Sequence, residues 1–359
     1  NWMAGSQYVY SFGKCIFMPA DLTAGIEFNQ DKLEDNMWGY HRTVDQKVNI
    51  GSAFFQNEWK NEHWGFLIGG RLDKHNLIDH VIFSPRANLR YNPTENINLR
   101  FSYSSGFRAP QAFDEDLHVE NVGGNVAMVE LADNLKEERS QSLSVSADIY
   151  HRFGAFQVNF LVEGFYTKLS DVFALTDGEI VDGILTRTRY NAPGARVMGL
   201  TLEGKMAYLT KFQLQAGITL QQSHYSEPHV WNKEAPAVKK MMRTPNTYGY
   251  FTATYTPIKP LSIALSGTYT GSMLVPHEPV PGFLEKPITV NTKDFFDIGL
   301  KAAYDFKLYK SMNLQVNAGV QNIFNAYQDD FDKGADRDSG YIYGPSLPRS
   351  FFAGVKISY

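Results

Sequence analysis

Hydrophobic residues with a period of two, run after run, limit this chain's fold more than any other feature. In Ile97–Ser104 the apolar set is Ile97, Leu99, Phe101 and Tyr103, against Asn98, Arg100, Ser102 and Ser104. Ser142–Tyr150 sets Leu143, Val145, Ala147 and Ile149 against Ser142, Ser144, Ser146 and Asp148. Phe212–Gln221 and Asn313–Gln321 alternate in the same way, and Phe156–Thr167, Leu261–Thr270, Phe296–Phe306 and Phe351–Tyr359 broadly follow. A helix would need apolar residues spaced by 3.6, and these runs lack that spacing. Successive strand side chains point to opposite faces, so each run reads as a strand with one apolar and one polar face.

The runs are about eight to twelve residues long, against a usual five or six in globular proteins. A tilted strand needs roughly nine to eleven residues to cross a bilayer. Several apolar faces end in aromatics: Phe101 and Tyr103, Tyr166, Tyr269, Tyr304 and Phe306, Phe351 and Tyr359. Aromatic girdles at the two interfaces of a membrane barrel give this pattern, and the chain holds 20 Tyr and 25 Phe to build them. No apolar run approaches the roughly 18–20 residues of a membrane helix. The mean hydropathy of -0.31 does not argue against a membrane, because alternating faces cancel in the average.

The connections alternate in length. Short turns are expected at 92–96, 152–155, 209–211, 257–260 and 307–312, and long polar stretches at about 29–45, 106–138, 222–245, 272–293 and 323–348. Tight turns at one end and long loops at the other are the signature of an up-and-down barrel. The expected fold is therefore all-β, an antiparallel transmembrane β-barrel with about fourteen strands in this chain. The stretch 180–208 reads as one long strand bent at Asn191-Ala192-Pro193-Gly194. A soluble carbohydrate-binding β-protein would also alternate, but with shorter strands.

Other classes lack their marks. The net charge of -4 gives no basic excess for nucleic acid. A single cysteine, Cys15, rules out an internal disulfide framework and a Cys-rich zinc site. There is no Gly-rich phosphate loop, no G-x-S-x-G elbow and no H-E-x-x-H, so no enzyme and no cofactor is expected. Asn1-Trp2-Met3 does not open a signal peptide, and the chain reads as part of a longer exported protein.

Several segments resemble the boxes of TonB-dependent outer-membrane receptors. Phe107-Arg108-Ala109-Pro110 resembles the "FRAP" box. Ala132–Glu138 resembles the "N-P-x-L-K-P-E" return, with Asp133 and Glu137 in place of the prolines. Tyr190-Asn191-Ala192 followed by Gly199–Gly204 is similar to the "Y-x-N … G-x-E-x-E" strand, with Thr201 in place of the first Glu. Asn322-Ile323-Phe324 resembles the penultimate "N-L-F" strand end, and Gly344–Arg349 with Phe351–Tyr359 the closing strand. These boxes keep their order across about residues 100–359.

The resemblance implies the C-terminal part of a barrel of about 22 strands whose lumen holds an N-terminal plug. The plug and the first strands would lie outside residues 1–359. It implies a Gram-negative outer-membrane receptor for a scarce chelated nutrient: a ferric siderophore first, then cobalamin, then haem. Implied partners are outer-membrane lipid, the TonB–ExbB–ExbD relay and the barrel-assembly machinery. A passive porin-like barrel is the rival transport reading.

Candidate ligand groups are Arg108 in the first box, His118 between the first two boxes, and His224, His229 and Trp231, which with His277 are expected in outer loops. Haem receptors of the family place an axial histidine where His118 stands, although a lone polar-loop histidine is more often simply solvated. Phe351 and Tyr359 would carry the assembly signal, or would be girdle aromatics. The acidic segment Asp329–Gly340 lacks EF-hand spacing and reads as a solvated loop, and no metal site is expected. Gln213, Gln215, Gln221, Asn313, Gln315, Asn317, Glu203 and Lys205 are expected on the lumen face.

Overall fold

A computed structural model describes residues 1–38, 42–110, 127–176, 179–181, 184–309, 311–338, 340–345 and 347–359. Among these residues the regular structure is all β. The chain divides into two compact units. One comprises Asn1–Val145, Phe165–Val197 and His224–Lys233, the other Ser146–Gly164, Met198–Ser223 and Glu234–Tyr359.

In the first unit β1 (Trp2–Cys15), β2 (Met18–Met37), β3 (Arg42–Lys60), β4 (Trp64–His75), β5 (Ile82–Thr94) and β6 (Ile97–Arg108) pair in sequence, each antiparallel to the next. A smaller sheet holds β7 (Ala127–Leu131), β10 (Val172–Leu175), β11 (Glu179–Val181) and β12 (Ile184–Ala192). Four long strands contribute residues to both units: β8 (Glu138–Phe153), β9 (Phe156–Ser170), β13 (Ala195–Tyr208) and β14 (Phe212–His229). In the second unit the antiparallel series from β14 continues through β16 (Thr247–Ile258), β17 (Leu261–Thr270), β20 (Phe295–Lys307), β21 (Asn313–Gln321) and β22 (Ser350–Ser358). β15 (Val238–Lys240) pairs with β14, and β18 (Leu274–His277) forms a hairpin with β19 (Ile288–Asn291).

The register preserves the alternation read from the sequence. In the second unit one row runs Leu214, Ala253, Leu265, Leu300, Val320 and Phe351 across six strands. The neighbouring row, one residue along, runs Gln215, Thr252 and Ser266. In the first unit a row runs Phe12, Ala20, Trp59, Phe66, Leu89 and Phe101. A one-residue slip would turn every such row over, so two-sided patterning locks the register. On the last strand the apolar face is open: Val355 is 67% and Ile357 63% exposed. An aqueous surface does not tolerate so continuous an apolar face, whereas lipid requires one.

Aromatics gather beside the short turns. Phe17 stacks on Trp59 with ring centres 5.7 Å apart, Trp64 on Tyr91 at 4.2 Å, and Phe156 meets Tyr208 at 4.6 Å. All five expected short turns are present, and two more lie between β1 and β2 and between β3 and β4.

The long stretches differ from expectation. Instead of a loop at 29–45, β2 and β3 stay paired from Gln30 opposite Asn49 out to Met37 opposite Arg42. Ladder bonds join backbones, so polar side chains on both faces do not end a strand. The stretch 180–208 is not one strand. β12 ends at Ala192 and belongs to the small sheet, while β13 starts at Ala195. Pro193 has no N–H for a ladder. A Cβ on Gly194 would collide with the Leu169 carbonyl oxygen, so only glycine allows that close approach. Long loops elsewhere carry their own strands: β7 in 106–138, β15 in 222–245, and the β18–β19 hairpin in 272–293.

Candidate functional site

The first candidate cluster forms where β6 ends and the small sheet begins. Arg108 closes β6, and its guanidinium carbon lies 5.6 Å from the centre of the Phe173 ring. Arg189 on β12, only 4% exposed, lies 5.6 Å from the same ring. A ring face is the negative part of its quadrupole and attracts guanidinium groups. The Phe173 N–H donates to Glu138 Oε2 at 3.0 Å, which fixes the ring's strand against the start of β8.

Asn191 ties this region to the second box. Its side-chain oxygen accepts from the Lys136 N–H at 2.8 Å, and its Nδ2 donates to the carbonyls of Lys136 at 3.0 Å and Asp171 at 2.8 Å. The box asparagine therefore serves as a clamp between backbone segments. Beside it Glu137, 3% exposed, accepts from Arg139 at 2.6 Å and from His80 Nε2 at 3.0 Å. Burial works against its charge, but hydrogen bonds from its own backbone N–H, Arg139 and His80 hold the carboxyl below its ordinary range.

The other sequence candidates are distributed as follows. His224 and His229 lie on the extended end of β14, a correction to their expected place in a loop. The strand runs on because its end is still paired: the Ser226 N–H donates to the Gly194 carbonyl at 2.8 Å. The His229 ring sits 4.7 Å from the Tyr225 ring, and burial lowers its pKa and favours neutral imidazole. Trp231 follows β14, its Nε1 buried with no hydrogen-bond partner among the described residues. Arg108, His224, His229 and Trp231 all belong to the first unit. His118 lies outside the described residues. Phe351 on β22 and Tyr359, which follows it, are exposed.

The expected lumen residues Gln213 and Gln215 share one face with Thr252 and Thr254. With Gln157, Asn159 and Lys205 they border a cleft of about 380 Å³. In the first unit the equivalent face carries a charged network. Arg71 donates to Asp73 at 2.8 Å, to Glu27 at 2.9 Å and to Ser52 at 2.8 Å, and Ser52 donates to Asp73 at 2.6 Å.

The acidic segment is a loop and most of its described residues are exposed, but two of its carboxylates are tied down. Asp330 accepts from the hydroxyls of Tyr341 at 2.9 Å and Tyr343 at 2.6 Å. Asp332 accepts from His277 Nε2 at 2.9 Å, and the His277 ring stacks on Tyr341 at 3.7 Å. His277 is therefore buried rather than displayed in a loop. Gln328, also buried, donates to the Tyr341 carbonyl at 3.0 Å and accepts from the Tyr343 N–H at 2.9 Å. Met273, Val275 and Tyr341 form a small core beneath, with Val290 and Tyr343 against it. Burial and the Asp330 charge push the Tyr341 hydroxyl up to about 12 and raise Tyr343 as well. Among the described residues no group of three or more His, Cys, Asp or Glu could hold a metal ion.

Sequence reasoning missed Phe173, Arg189 and Gln328. No local pattern marks them, whereas Asn191 and Asn322 stood in recognised boxes.

The family model for "TonB dependent receptor-like, beta-barrel" matches residues 2–323. The chain belongs to that family. This bears out the resemblance carried by the boxes. Solved structures of similar fold include the ferric enterobactin receptor of Pseudomonas aeruginosa, at 18% identity and a TM-score of 0.71, covering 99% of this chain and 54% of that one. The siderophore receptor PirA of Acinetobacter baumannii aligns at 16% identity and a TM-score of 0.70, over 98% and 54%. The ferric-catecholate import receptor Fiu of E. coli aligns at 16% and 0.65, over 98% and 54%. The chain thus spans about half the length of these receptors. No curated protein sequence matches it.

Proposed function

We propose that this TonB-dependent receptor barrel serves uptake of a ferric siderophore, of the catecholate class, across the outer membrane. The family match carries the transport reading. The names of the structural neighbours, ferric enterobactin and ferric-catecholate receptors, support the ligand class. The site chemistry is compatible: a ferric catecholate is a planar-ringed anion, and half-buried Arg108 and Phe173 offer a cationic and an aromatic face, with buried Arg189 against the same ring.

In this reading the outer segments bind the chelate without altering it, and energy relayed through TonB, ExbB and ExbD opens the passage. Lipid surrounds the apolar rows, and the barrel-assembly machinery reads the terminal strand with Phe351 and Tyr359. Cobalamin and haem are the next ligand classes. The test is uptake of radiolabelled ferric enterobactin by a strain carrying the gene as its sole receptor, with and without TonB. TonB-dependent accumulation supports the reading. Uptake that persists without TonB points to passive diffusion, and no uptake with this chelate removes the ligand class.

A further inference from the structure

In the second unit three short turns follow one another along one end of the sheet, between β8 and β9, between β13 and β14 and between β16 and β17. Each brings one exposed cation: Arg152 near the end of β8, then Lys211 and Lys259 within their turns. The segments 151–156, 208–212 and 256–261 contain no Asp or Glu. Short turns of the first unit carry Glu62 and Glu95 instead. The three turns are bonded edge to edge. The Leu209 N–H donates to the Ala155 carbonyl at 3.3 Å and the Thr256 N–H to the Lys211 carbonyl at 2.7 Å. Paired strands lie about 4.8 Å apart, so successive turns are spaced by roughly 10 Å. That is about one Debye length at 0.1 M salt, so the potentials of the three cations add.

Each cation is the chain neighbour of an apolar residue. Ile258, beside Lys259, stands in one row with Leu261, Tyr304, Val316 and Val355, the apolar face that is open on the last strand. Phe212, beside Lys211, opens the parallel row through Tyr255 and Ile263. Phe153, beside Arg152, is 61% exposed, and its ring lies 4.0 Å from that of His151. A plug fills the inside of a barrel, whereas apolar rows lie on its outside, so what these rows meet is the bilayer. Arg152 Nε donates to the Gly154 carbonyl at 3.2 Å, which leaves its terminal nitrogens to reach another acceptor. Lys307, near the next turn, stands across from Asn313 on the polar face and is not part of this group.

We infer that Arg152, Lys211 and Lys259 form a rim that binds the headgroups of anionic phospholipid in the leaflet at the short-turn end. Acyl chains cover the apolar rows, which puts the lipid phosphates at the level of the turns. Lysine stems run along apolar surface and carry their ammonium groups to that level, and the arginine fork donates to two phosphate oxygens. A zwitterionic headgroup brings its own cation beside the phosphate, so the rim attracts it less. The inference rests on the membrane reading of the apolar rows and does not depend on the solute transported.

The test equilibrates the full-length receptor in detergent, at low ionic strength, with equal amounts of phosphatidylglycerol and phosphatidylcholine. After washing, the retained lipids are extracted and quantified by mass spectrometry. Folding of each variant is first verified by heat-modifiable migration, and insertion of the parent into pure phosphatidylcholine bilayers checks the membrane reading separately. The parent should retain phosphatidylglycerol in preference. Arg152→Gln/Lys211→Gln/Lys259→Gln should cut that preference about threefold or more. A control of equal charge loss in the long segments at the other end, Lys239→Gln/Lys286→Gln/Lys333→Gln, should keep it. Lys211→Gln alone, at an exposed turn, should lower the preference in part and serves if the triple variant does not fold. Equal retention of the two lipids by the parent overturns the inference. So does an unchanged preference in the rim variants, or an equal loss in the control.

Discussion

Arg108, the last residue of β6, holds its guanidinium 5.6 Å from the ring centre of Phe173, which lies in the small sheet. The contact couples the family's "FRAP" box to a segment more than sixty residues downstream. Replacing Phe173 with Leu keeps the apolar bulk and removes the ring face. The expected loss is about 1 kcal/mol of local stability. It would be read as faster hydrogen exchange in 172–175 and 184–192. Exchange unchanged from the parent would show that the ring contact contributes nothing.

Asn191 makes three hydrogen bonds to backbone groups of Lys136 and Asp171. Asn191→Ala hands those exposed groups to water and should cost roughly 0.5–1.5 kcal/mol. Protease sensitivity near Lys136 should rise while the barrel remains heat-modifiable. A protease pattern identical to the parent's would remove the clamp role.

Burial works against the charge of Asp330, but hydrogen bonds from Tyr343, Tyr341 and Gln328 hold its carboxyl below the ordinary 3.8. Its contribution to the cluster with Tyr341 and Tyr343 is present above that pH and is lost as pH falls through the depressed value. Burial and Asp330 raise both tyrosines. Their contribution is full below the ordinary 10.0 and lost as pH rises through the raised values, about 12 for Tyr341. In an ultraviolet titration these two should ionise late among the 20 tyrosines. Asp330→Asn should bring them closer to 10. A titration curve that Asp330→Asn leaves unmoved would falsify this assignment.

Val316 belongs to an apolar row of β21 and Gln315 to the polar face beside it. Arginine in place of Val316 should destabilise by roughly 2–4 kcal/mol, the cost of a lipid-facing charge near mid-bilayer. Arginine in place of Gln315 keeps an acceptor in Asp305, which Gln315 bonds at 2.9 Å, and should be tolerated. Urea unfolding in lipid vesicles compares the two. Equal penalties would mean that the faces are assigned wrongly.

Gly194 faces the carbonyl oxygen of Leu169 too closely for any Cβ. Gly194→Ala must push the two backbones apart and should cost about 1–3 kcal/mol. Less folded protein on a heat-modifiability gel is the expected readout. A folded fraction equal to the parent's would show that the junction yields freely.

Much of the fold was legible because its cause is local. Period-two alternation set the strands around Leu214, Val316 and Phe101, and it set which face each presents. The turns at 154–155 and 259–260 followed from the breaks in that pattern. The site was less legible. Arg108 and Asn191 were visible through their boxes, but the sequence around Phe173 and Arg189 carries no mark, since their meaning lies in a contact between distant segments.

The amino-acid sequence alone thus determined a membrane-type antiparallel sheet, its faces and its family, because side-chain direction in a strand depends only on residue parity. Tertiary structure decided what parity cannot encode. It sent Ile184–Ala192 to a second sheet, carried β2 and β3 past their apolar stretch, and tied Asp330 to Tyr341 and Tyr343 and Asp332 to His277. In each case the deciding partner, whether a backbone ladder, a carbonyl or a ring, comes from a distant part of the chain, and only folding brings the two together.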